Sequence, residues 1–139
     1  MDELISFLRR MLDEDERRAR ACAEVYPAPW DVSDRGHTAY VRADAPGFRI
    51  VAELEQDDGI YDWLSVRLDH IARHDPARVL ADVAAKRMVL ADLDTAIQAS
   101  KDHPEDMANK GWVLAVVRQI HRLATAYADH ADYRAEWRP

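Results

Sequence analysis

Two histidines four residues apart, His70 and His74, followed at once by Asp75, form the densest group of chemically capable side chains in this sequence. A spacing of four turns two helical side chains to the same side. Imidazoles at that spacing bind zinc in metalloproteases, but the glutamate that follows the first histidine of that motif is replaced here by Ile71. Asp15 and Glu16 could add carboxylates, and His130 a third imidazole. The set His70, His74, Asp15, Glu16 and His130 has the donor chemistry for Zn, Mn or Fe. Assembling it requires the helix carrying Asp15 and Glu16 to cross near His70, and no spacing rule sets that crossing. In a chain with 6 His, an i,i+4 pair also arises by chance. Protonated histidines near a helix C-terminus interact well with its dipole, and this is the favoured role for His70 and His74.

Other chemistries find less support. Ser6, Ser33, Ser65 and Ser100 stand in no nucleophile-elbow context, and there is no Walker or GxGxxG motif. Cys22 is the single cysteine, so no disulfide framework forms within one chain, which suits a reducing, cytoplasmic setting. No catalytic residue is assigned. The net charge is −7 with acids and bases interleaved, which disfavours a nucleic-acid partner. The N-terminal MDELISFLRR has neither a signal-peptide pattern nor a membrane span.

The elements that must position these residues follow from periodicity and punctuation. A length of 139 residues, 48% hydrophobic and 32% charged, fits one soluble domain over 1–139. The first helix is predicted over 2–25, with Leu4, Leu8, Met11, Leu12, Ala19 and Cys22 on one stripe. Tyr26-Pro27-Ala28-Pro29 ends it. Residues 30–54 predict a small antiparallel sheet of two or three strands, with turns at Arg35-Gly36 and Ala45-Pro46-Gly47 and Trp30 plugging the sheet against the helices. Asp57-Asp58-Gly59 breaks the chain before a helix over 60–74, whose apolar side is Ile60, Trp63, Leu64, Leu68 and Ile71. Asp75-Pro76 then starts another helix: Asp75 caps it, and proline at its first position loses no hydrogen bond. That helix is predicted over 76–99, then a polar loop over 101–110 and a last helix over 111–127. Tyr133 and Trp137 should dock the tail, 128–139, on the body. The fold class is α+β, mainly helical, with about four helices.

Advancing roughly 100° per residue puts Asp15 near the centre of the first helix's apolar stripe, with Glu16 at its edge and Asp13 and Glu14 turned elsewhere. Lys86 falls within the stripe of Val79, Val83, Leu90, Leu93 and Ile97, and Arg87 on its flank. A carboxylate facing a core needs a partner. The expected structural ion pair is Asp15 with Arg87 or Lys86, Arg87 being better suited to a bidentate contact.

Three stretches carry a family likeness: DELISFLRRMLDEDERRAR, HIARHDPARVLADVAAKR and the ending YADHADYRAEWRP. On these the chain resembles a family of small proteins of unknown function from actinobacteria and their phages. The usual ending has a proline on either side of Tyr127-Ala128-Asp129-His130, where this chain has Ala126 and Ala131. The resemblance implies no activity. The leading functional expectation is a small acidic, non-catalytic module that binds another protein, with no cofactor and no membrane partner. The phage likeness points to a host protein as target. The alternative is a metal- or small-molecule-binding protein, hydrolytic in its strongest form, with a divalent metal at the His/carboxylate set.

Overall fold

The structure, a computed structural model, describes residues 1–34, 38–43, 46, 49–55 and 61–139, and only the backbone of 34, 38, 54, 55 and 61–65. Four α-helices and a three-stranded antiparallel sheet make it α+β and mainly helical. The helices are α1 (Asp2–Val25), α2 (Tyr61–Arg73), α3 (Pro76–Asp102) and α4 (Met107–Ala124); the strands are β1 (Trp30–Asp34), β2 (Thr38–Ala43) and β3 (Arg49–Glu55). Packing divides the chain into two compact units, Met1–Glu14 with Val83–Pro139, and Asp15–Asp82.

The first unit is helical. Leu4, Phe7, Leu8, Met11 and Leu12 of α1 are buried with Val83, Leu90 and Leu93 of α3 and Val116, Ile120 and Ala124 of α4. Each such aliphatic side chain contributes about 1.5–3 kcal/mol when fully buried. The 3–4 spacing of these positions makes α1 and α4 amphipathic.

The helix ends differ from those the sequence predicts. The predicted loop over 101–110 shrinks to 103–106, because α3 continues to Asp102 and α4 starts at Met107. Asp106 is the N-cap, with its carboxylate accepting from the Ala108 N–H at 2.8 Å. Asn109 Nδ2 donates to the Ala99 carbonyl at 3.2 Å. The polar residues that suggested a loop are thus capping groups and first-turn residues. Gly111 lies inside α4, and a Cβ there would meet nothing within 4 Å. At the other end, α4 gives way after Ala124 to a 3₁₀ turn over Thr125–Tyr127.

The tail docks as expected. Trp137 is 7% exposed and joins the core, and Tyr133 packs against it half-buried. Phe7 is the hub of this contact: its ring lies 5.0 Å from Trp137, 6.1 Å from Tyr133, 6.3 Å from Tyr127 and 5.7 Å from His130. Arg134 closes the seam with two hydrogen bonds to Glu3, at 2.6 and 3.0 Å, and Arg10 bonds Asp132 at 2.6 Å. The Glu3 carboxylate holds the Arg134 guanidinium's proton more firmly than usual, so this charge is constant across ordinary pH.

In the second unit the sheet order is β1-β2-β3, with Trp30 opposite Ala43 and Val41 opposite Ala52, and a register shift after Val41. Alternation sends Ala39 and Val41 to one face, where they bury with Leu68 of α2. Trp30 packs against that cluster, as anticipated, and its indole N–H donates to the Tyr26 carbonyl at 2.9 Å. The Ala28-Pro29 peptide is cis. The anticipated turn at Arg35-Gly36, most of that at Ala45-Pro46-Gly47, the Asp57-Asp58-Gly59 break, and the side chains of Ile60, Trp63 and Leu64 lie outside the described residues.

Candidate functional site

The corner between α2 and α3 forms as the sequence predicts. Asp75 Oδ1 accepts from the Arg78 N–H at 2.8 Å, the bond of an N-cap three residues ahead. His74 follows the last residue of α2. Its Nδ1 lies 2.7 Å from the His70 carbonyl oxygen. A carbonyl only accepts, so Nδ1 carries the proton and satisfies one of the orphan acceptors at the helix end. The two rings stand 4.4 Å apart, tilted by 44°. Both histidines are exposed, and His70 lines a surface groove with Val66, Asp69 and Arg73.

Of the other proposed ligands, Glu16 and His130 make contacts within their own units. Glu16 accepts two hydrogen bonds from Arg20, at 2.9 and 2.6 Å, one turn along α1. His130 belongs to the first unit, where its ring faces Phe7 and its Nδ1 accepts from the Asp132 N–H at 3.1 Å. Among the described residues no three His, Cys, Asp or Glu side chains gather as a metal would require. What the corner provides is a pair of adjacent, tilted imidazoles and two helix caps.

Of the residues in the expected ion pair, Asp15 belongs to the second unit and Lys86 and Arg87 to the first. Asp15 is half-buried, at the point where the buried run Leu4–Leu12 of α1 has ended, and no charged side chain is fully buried among the described residues. Arg87 Nη2 donates to Asp13 Oδ1 at 2.6 Å, although the helical wheel turned Asp13 away from the core. This pair is solvent-exposed, with side chains 40% and 66% accessible. The long guanidinium stem reaches across the surface to a carboxylate outside the stripe. Lys86 does turn inward, with its ammonium 5.8 Å from the centre of the Tyr127 ring, a cation–π geometry.

The outer face of α4 holds a further group of exposed residues. Met107, Gly111, Leu114, Arg118 and Arg122 fall within one stripe, opposite buried Val116, Ile120 and Ala124. Met107 is 72% and Leu114 51% exposed. At the lower end of this stripe, Arg118, His121 and Arg122 meet Arg138 of the tail around a groove of about 460 Å³ whose apolar walls are Val117 and Pro139. His121 Nδ1 bonds the Trp137 carbonyl at 2.8 Å, which holds the tail against α4 and delivers Arg138 to the groove. The signal was present in the sequence as an i,i+4 arginine pair opposite the apolar face; the arrival of Arg138 was not.

Residues 1–139 match a family model described as a family of unknown function, DUF6221. The chain belongs to the DUF6221 family. No curated protein and no solved structure matches it. The family assignment spans both units and therefore includes the α2–α3 corner and the α4 face alike.

Proposed function

We propose that this DUF6221 protein is a non-catalytic module that binds another protein through the outer face of α4. The observation that carries this reading is the exposed apolar stripe of Met107 and Leu114 running directly into Arg118 and Arg122. Apolar side chains beside arginines are the composition of a protein interface, where arginine is enriched and the apolar centre excludes water. A flat, glycine-containing stripe (Gly111) lets a partner approach the helix closely. The likeness of HIARHDPARVL and YADHADYRAEWRP to actinobacterial and phage proteins supports a cytoplasmic host protein as the partner.

A photo-crosslinking amino acid placed at Leu114 tests this, with the same probe at exposed Asp92 of α3 as the control. In actinobacterial cytosol the probe at 114 should give one discrete adduct. Excess unlabelled protein should compete it away, and Leu114→Glu protein should not. Equal adducts from both positions, or no discrete adduct from 114, would refute the reading.

A further inference from the structure

We infer that the groove between α4 and the tail captures a short acidic peptide segment of the partner, its carboxylates held by Arg118, Arg122 and Arg138. This rests on the interaction reading above and names the chemistry that the α4 face recognises. The argument begins with how the first unit uses its arginines. Arg9 pairs with Asp94, Arg10 with Asp132, Arg87 with Asp13 and Arg134 with Glu3. The remaining arginines of this unit are Arg118, Arg122 and Arg138, and none has a carboxylate partner among the described residues. These three all line one groove. In a chain of net charge −7, Asp and Glu are plentiful, yet among the described residues none lines this groove. A like-charged i,i+4 pair such as Arg118 and Arg122 slightly destabilises its helix, and Arg138 adds a third positive charge. An anion seated in the groove would offset that repulsion.

The geometry favours carboxylates on a peptide. Guanidinium groups present paired N–H donors that match a carboxylate bidentately. His121 has its Nδ1 committed to the Trp137 carbonyl, so Nε2 is the nitrogen left for a ligand. Val117 and Pro139 give the groove an apolar wall suited to a neighbouring aliphatic side chain, and the exposed Leu114 and Met107 extend that surface along α4. A volume of about 460 Å³ accommodates one or two side chains of a segment laid across it. A nucleic acid fits less well: its phosphates would meet the field of an acidic protein, and no Trp, Tyr or Phe lines the groove to stack a base.

The test is NMR titration of the full chain with the peptide acetyl-Leu-Glu-Glu-Leu-amide. Its Gln-Gln counterpart, inorganic phosphate and a short single-stranded DNA serve as comparison probes. The acidic peptide should shift the side-chain signals of Arg118, Arg122, Arg138 and His121 together and saturably. The Gln-Gln peptide should bind at least about ten-fold more weakly, and each of Arg118→Gln, Arg122→Gln and Arg138→Gln should weaken the acidic peptide about three- to five-fold. Raising salt should weaken it further. Equal binding of the two peptides, or indifference to the arginine substitutions, overturns the inference. Phosphate matching the peptide would make this a simple anion site, and DNA binding more tightly would make it a nucleic-acid contact; either result overturns it too. The Leu114 crosslink separates this from the broader reading: if it persists in the triple arginine variant, the interaction face stands and the acidic-peptide assignment alone has failed.

Discussion

Replacing Trp137 by alanine should destabilise the first unit and disperse the arginine groove with it. Trp137 is 7% exposed, stacks 5.0 Å from Phe7, meets Tyr133 edge-on at 5.8 Å, and lies 5.5 Å beneath the Arg134 guanidinium. A buried tryptophan removes about 150–250 Å² from water. At about 25 cal/mol per Å² that is ~4–6 kcal/mol, an upper figure that a compact unfolded state lowers by about 10–40%. Trp137 is carried by a single 3₁₀ turn, Ala135–Trp137, rather than by α1 or α4, which favours the lower part of that range. Trp137→Ala should therefore cost about 3 kcal/mol, near the lower end of the range for aromatic-to-alanine changes in a core. Urea unfolding followed by far-ultraviolet circular dichroism gives the free energy, and the melting temperature should fall by roughly 10 °C. Trp112→Ala is the control: Trp112 is 41% exposed, and its loss should stay within about 1 kcal/mol. If Trp137→Ala cost less than about 1 kcal/mol, the tail would not be part of the core, and the delivery of Arg138 through the His121–Trp137 bond would lose its basis.

Further outcomes follow from single contacts. Asp13→Ala and Arg87→Ala should each change stability by less than about 1 kcal/mol, because their pair is exposed; a cost of about 3–5 kcal/mol in urea unfolding would show a buried pair instead. Asp106→Ala should cost about 1 kcal/mol by removing the cap of α4, while Asp106→Asn retains most of it; equal loss in both variants would rule the cap out. At the α2–α3 corner, Zn²⁺ added during NMR observation should move the His70 and His74 ring signals only at high metal concentration, since two imidazoles leave a zinc ion short of its usual protein ligands. Stoichiometric metal retained by untagged protein and lost in His74→Ala would contradict that expectation.

The fold was legible where local chemistry decides it. Asp75-Pro76 marked the α2–α3 corner because capping and the missing proline N–H act within a single turn. The periodic Leu4–Leu12 run reported burial for the same reason. Helix ends were less legible. The 101–110 segment is polar throughout, and polarity alone does not distinguish a loop from an N-cap followed by an exposed first turn. Asp106 and Asn109 become decisive only once Ala99 and Ala108 lie within reach. Phe7 is a different kind of omission. It lies three residues after Leu4 and four before Met11, a spacing that fits the stripe from which it was left out; its role as an aromatic hub depends on a tail more than a hundred residues away.

Charged side chains were the least legible, and for a physical reason. A helical wheel assigns the direction of Cβ, whereas an arginine carries its charge about 6–7 Å beyond that atom on a flexible stem. Arg87 can thus meet Asp13 from the flank of α3, although the wheel turned Asp13 away from the core. By the same freedom, the i,i+4 spacing of Arg118 and Arg122 does not by itself say where their charges end. Only the third arginine, brought from position 138 by a bond between a histidine ring and a tail carbonyl, turns a charged face into a groove with a defined chemistry. Substituting His121 therefore separates position from charge. His121→Asn keeps a donor for the Trp137 carbonyl, so Arg138 should stay in place, whereas His121→Leu fills the space without a donor. If the groove depends on that bond, acidic-peptide binding should fall about three-fold or more in the leucine variant and stay close to wild type in the asparagine variant. Equal loss in both would assign His121 a direct contact with the ligand instead.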